Sequence, residues 1–134
     1  MSAALVLAGL LLVGCTSDPS ACEGVVQGGG DTPLPAAIDD IIERRCRMCH
    51  TDPTQNFAPM PLVSWEDLHA QRSDNDERPV YEVVESRIHN EDFPMPPLPA
   101  PSLSDEEAAA WPRLTDGELA TLDDWIADCA PAAD

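Results

Sequence analysis

Cys46, Cys49 and His50 place two thiols and an imidazole within the five residues Cys46-Arg47-Met48-Cys49-His50. On a helix these positions are i, i+3 and i+4, so all three groups project from one face and converge on one object. Two thiols at this spacing could exchange disulfides, but no stretch of the chain reads as the βαβ unit of such redox domains. They could also begin a zinc site. No second C-x-x-C exists, however, and only His69 and His89 remain as further ligands. Two methionines lie between prolines, in Ala58-Pro59-Met60-Pro61 and in Phe93-Pro94-Met95-Pro96-Pro97-Leu98-Pro99. The second segment cannot be regular helix or sheet. Prolines on both sides of Met95 lock its backbone and remove N–H donors, so its sulfur could hold a weak bond with little entropy left to lose.

The pentapeptide resembles the attachment site of c-type haem. In such a site the two thiols form thioethers to the macrocycle edge and the imidazole reaches the iron from one side. Residues 37–130 as a whole resemble the small monohaem cytochromes c of bacteria. The resemblance rests on the Met95-Pro96-Pro97 run, the following Leu103-Ser104-Asp105-Glu106-Glu107, and the Leu-x-x-Trp-Ile ending in Trp125-Ile126. It implies an all-α fold of three to five short helices around one covalent haem c, bound through Cys46 and Cys49, with His50 and Met95 as axial ligands. Met60 is the runner-up for the sixth position. It follows His50 by only 10 residues, against 45 for Met95, which leaves little chain to wrap the haem edge. His69, His89 or an open site could also account for that position, whereas Met48, fixed between the cysteines, cannot reach round the ring. Without a metal, Met95 would be a gap-filling core residue. Trp65 or Trp111 could donate an indole N–H to a haem propionate, plain packing being the simpler use.

A helix must carry the pentapeptide. Ile38, Ile41, Ile42 and Arg45 continue its stripe, Pro35 suits the start, and Asp39 and Asp40 favour the early turns. Ser64 and Asp67 read as a capping box opening a short helix through Trp65, with Val63 and Leu68 as its staple. Val80, Val83, Val84 and Ile88 make a helical stripe after Pro79, and His89 marks its end. Thr115 and Glu118 form a second box before a helix that aligns Leu119, Leu122, Trp125, Ile126 and Cys129, and Pro131 stops it. Ser104 and Glu107 repeat the start signal in a short insertion that Pro112 interrupts. The family's architecture would cross the first and last of these helices above the haem. No segment alternates well enough for a strand.

The chain has 134 residues, 25 acidic against 7 basic, and a net charge of −18. Every basic residue is an arginine. One small domain fits this length. The charge excludes electrostatic binding of nucleic acid or anionic membrane surfaces and favours a partner with a basic face. Aromatics make up 4% of the residues, so a core of side chains alone is thin and profits from a large apolar ligand or a crosslink.

Residues 1–15 are uncharged and apolar from Ala3 to Val13, too short for a comfortable membrane span but suited to a signal peptide. Leu12-Val13-Gly14-Cys15 resembles a bacterial lipobox, which would make Cys15 the lipidated first residue of the mature chain. The usual basic residues before the apolar run are missing. Residues 16–36, with three consecutive glycines and several prolines, read as a flexible tether, leaving 37–134 as the domain. An exported location, periplasmic or cell-envelope, disfavours free thiols. With Cys15 lipidated and Cys46 and Cys49 on haem, Cys22 and Cys129 remain to form a disulfide, unless Cys22 stays in the tether and never meets its partner.

The leading expectation is therefore electron transfer by a lipid-anchored monohaem cytochrome, without catalysis of its own, serving redox partner proteins or a larger redox complex. A haem-based sensor or small enzyme with an open sixth site is the second reading. A non-haem disulfide or metal protein of the envelope is the third.

Overall fold

The structure is a computed structural model that describes Cys22, residues 32–99 and residues 102–134. The apolar run, Cys15 and most of the tether lie outside the described residues. Among those described, five helices are α1 (Ala36–Arg45), α2 (Trp65–His69), α3 (Val80–Ile88), α4 (Asp105–Ala109) and α5 (Asp116–Ala127). Between α2 and α3 runs a hairpin of β1 (Gln71–Ser73) and β2 (Asp76–Pro79), paired antiparallel.

The helix starts follow local chemistry. Ser64, Ser104 and Thr115 each accept the N3 amide, while Asp67, Glu107 and Glu118 at N3 reach back to the cap's own N–H. Each box satisfies two of the amides that a helix N-terminus leaves without partners. Proline occupies the cap of α1 and of α3.

Ile38, Ile41 and Ile42 of α1, Trp65 and Leu68 of α2, Val80 and Tyr81 of α3, and Leu122, Trp125 and Ile126 of α5 form one core. Helix α5 packs on both α1 and α3. Arg45, the last residue of α1, fastens the first contact: its Nε lies 3.1 Å from each Glu118 carboxylate oxygen, and its Nη2 lies 3.0 Å from Oε1.

The chain departs from the all-α expectation at the hairpin. Gln71 pairs with Pro79 and Ser73 with Asp76, and apart from Pro79 both strands are polar, so no apolar alternation marks them. Backbone pairing holds them together, with an added bond from Val80 N–H to Ala70 O (3.0 Å) and a two-pronged grip of Arg78 on Asp76 (2.9 and 2.7 Å). The Arg78 guanidinium holds the half-buried Asp76 carboxyl down to about 2.

Two boundaries also move. The folded body begins before residue 37: Leu34 is buried, and Thr32 N–H donates to Glu66 (3.1 Å). Ala133 N–H donates to Pro33 O (3.0 Å), pairing the start of the body with its end. At the far end α5 stops at Ala127, so Cys129 lies beyond the helix. Cys129 and the fully buried Ala130 adopt left-handed backbone, with φ of 63° and 50°. Such geometry costs an alanine about 1–2 kcal/mol. It is held by two indoles: Trp65 Nε1 donates to Ala130 O (3.0 Å) and Trp125 Nε1 to Pro131 O (2.9 Å). Cys129 is joined to Cys22 by a disulfide across a separation of 107 residues.

Candidate cofactor site

Helix α1 does not continue through the pentapeptide. Cys46 and Arg47 N–H both donate to Ile42 O (2.8 and 3.0 Å), which closes the helix. A separate turn follows, with Cys49 and His50 N–H on Cys46 O (3.1 and 3.0 Å). The i, i+4 bond thus survives without the long helix, and the three groups remain on one wall.

That wall belongs to a cavity of about 550 Å³, inside the roughly 300–1,000 Å³ typical of cofactor sites. Cys46, Cys49 and His50 line it together with Met60 and Leu62. Helix α3 contributes Val80, Val83, Val84 and Ile88, and the proline loop adds Met95, Pro96 and Pro97. Both thiols, the imidazole and both proline-bracketed methionines thus border one largely apolar space. Cys46 and Cys49 are not bonded to each other.

His50 is oriented from behind. Its Nδ1 lies 2.8 Å from Met60 O, and its own carbonyl accepts from Leu62 N–H (2.9 Å). A carbonyl only accepts, so Nδ1 donates, and in the neutral ring the lone pair then sits on Nε2, as in a metal-ligating histidine. The same bond ties Met60 to the imidazole that it would have to oppose across a ring, which argues against it as the sixth ligand. Met95 enters from a separate element: its N–H donates to Arg87 O at the end of α3 (3.1 Å). Trp111 Nε1 donates to Pro97 O and fastens the loop two residues further on.

The other candidates lie elsewhere. His69 stacks on Trp65 with ring centroids 3.6 Å apart and contacts Trp65 O through Nδ1 (3.0 Å). His89 caps α3 and pairs with Asp123 (2.7 Å). Neither lines the cavity. Among the described residues no group of three or more His, Cys, Asp and Glu side chains could hold a metal ion. Burial pushes the Cys46 thiol up to about 11, with Arg47 opposing and Glu118 adding to the rise. A thiol held protonated at neutral pH is a poor nucleophile and a poor zinc ligand. The raised Cys46 thiol weighs against the redox-pair reading.

Trp65 and Trp111 have committed their indole N–H groups to Ala130 and Pro97, so neither serves a propionate. Two arginines that residue patterns did not single out stand at the cavity instead. Arg72, the half-buried middle residue of β1, and Arg87 of α3 both line it. Arg87 Nε is buried with no hydrogen-bond partner among the described residues. The signal was present: Arg87 falls three and four residues after Val84 and Val83, a charge set within an apolar stripe.

The donor set therefore fits a flat, apolar metal macrocycle with acidic substituents: two thiols for its edge, one imidazole nitrogen and one thioether for its metal, and unpaired guanidinium groups for its acids. No known protein family, curated protein or solved structure matches this chain, and the case for that ligand stands on these residues.

Proposed function

We propose that the protein is a c-type cytochrome with one covalently attached haem, carrying single electrons between other redox proteins. The observation that carries this reading is the apolar cavity bordered at once by Cys46, Cys49, His50 and Met95. When bound, the haem supplies a reversible one-electron change at iron.

The chain's own residues supply the rest. Cys46 and Cys49 would hold the group through thioethers, and His50 Nε2 and Met95 Sδ would ligate its metal. The bond from His50 to Met60 O keeps the proton on Nδ1 and fixes the plane of the ring. Val83, Val84, Ile88 and Leu62 would shield the group from water, which with a thioether ligand would favour a higher potential. With His50 and Met95 both holding the metal, the group would supply electron transfer rather than bond chemistry.

A net charge of −18 suits encounter with a basic partner, at a rate that falls as salt rises. Export and a lipid on Cys15 belong to the same proposal and rest on residues 1–15 alone.

The test is expression of the full chain in a host that matures c-type cytochromes, followed by a pyridine haemochrome spectrum and intact mass. The expected result is one haem on Cys46 and Cys49. A colourless product with both thiols open to alkylation overturns the assignment, and avid carbon monoxide binding by the reduced protein transfers it to a sensor or enzyme with an open sixth site.

A further inference from the structure

We propose that Arg72 and Arg87 form a two-point anchor for ligand carboxylates, fixing which edge of the macrocycle faces α3 and the hairpin. The inference rests on the haem reading and deepens it. The chain carries 25 acidic residues and 7 arginines, so a carboxylate is near almost everywhere. Arg44, Arg45, Arg47 and Arg78 each pair with one. Arg72, Arg87 and the exposed Arg113 pair with none among the described residues, and of these three Arg72 and Arg87 line the apolar cavity.

Arg87 Nε is buried without an acceptor among the described residues, a donor that a ligand carboxylate would satisfy. Arginine is the side chain whose rigid fork matches a carboxylate. Both line the same cavity, Arg72 from the hairpin that leads into α3 and Arg87 from the last turn of that helix. The polar hairpin acquires a purpose: its exposed–half-buried–exposed first strand turns one arginine inward. The ligand is then held at both edges, by sulfur at Cys46 and Cys49 and by charge at Arg72 and Arg87.

The experiment compares the full haem-loaded chain with Arg72→Gln, Arg87→Gln and the exposed control Arg113→Gln. Resonance Raman bands of the propionates and equilibrium midpoint potentials are the readouts. Each cavity variant is expected to shift the propionate bands and to lower the reduction equilibrium roughly tenfold, about 59 mV for one electron. The control should change neither. Cavity variants indistinguishable from Arg113→Gln overturn the inference while leaving the haem reading intact. Should Arg87→Gln fail to mature, Arg87→Lys and Arg72→Gln decide by the same bands. A colourless wild type would sink the haem reading separately. Carboxylate preference is then measured on the same chain, by quenching of tryptophan fluorescence with mesoporphyrin against its dimethyl ester. Tenfold weaker binding of the ester supports the anchor, and equal binding overturns it.

Discussion

Replacing Glu118 by Gln removes one charge and little else, because Gln at N3 can still complete the capping box with Thr115. What is lost is the ionic part of the clamp on Arg45, whose side chain is 22% exposed against 11% for Glu118. Breaking a fully buried pair costs about 3–5 kcal/mol and an exposed one about 0–1. A two-pronged pair at this burial belongs between them, at about 2 kcal/mol. For a domain of this size that lowers the melting temperature by roughly 8–16 °C. Glu118→Ala should add about 1 kcal/mol by losing the cap as well.

The pH dependence follows from the carboxyl's position. Burial pushes the Glu118 carboxyl up, but the Thr115 N–H and the Arg45 guanidinium outweigh it and hold it below its ordinary value. A lowered folded value means the contribution is complete above the unfolded value of about 4.3 and is lost as pH falls through the folded one. Urea unfolding followed by tryptophan fluorescence at pH 7 should therefore separate wild type from Glu118→Gln, and the gap should close in acid. A difference under about 0.5 kcal/mol at pH 7, as for an exposed pair, or a gap that persists in acid, would refute the reasoning. A double-mutant cycle with Arg45→Met isolates the pair, with an expected coupling of about 1–2 kcal/mol.

Met95→Ala should abolish the methionine–iron absorption band and admit carbon monoxide to the reduced protein, whereas Met60→Ala should retain the band; the reverse pattern would exchange their roles. Trp111→Phe releases Pro97 and should raise the affinity for added imidazole at the sixth position without changing haem content, read by optical titration. The double replacement of Cys22 and Cys129 by Ser opens a loop spanning 107 residues, for which about 2–4 kcal/mol of stability should be lost in denaturant melts. A loss near zero would mean that the folded body holds its C-terminal turn without the bond.

Local pairs were readable in the sequence and distant backbone contacts were not. Ser64 with Asp67, Ser104 with Glu107 and Thr115 with Glu118 announce three helix starts because each signal spans only four residues. The stripe of Val80, Val83, Val84 and Ile88 was visible for the same reason, although it serves the cavity wall as much as the core. The hairpin was invisible, since its strands carry Arg, Asp and Glu where an alternation of apolar residues would be sought. The His50–Met60 bond joins a ring to a main-chain carbonyl, which leaves no trace in residue types. The indoles of Trp65 and Trp111 had many conceivable acceptors, and only folding selects Ala130 and Pro97. Arg87 was legible in principle, as a cation inside an apolar stripe, but a stripe is read for its apolar members.

The hydrogen bond between Pro33 and Ala133 sets the two ends of the body side by side. Spliced into a host protein, such a unit would need only a narrow gap between the host's cut ends, because entry and exit are neighbours.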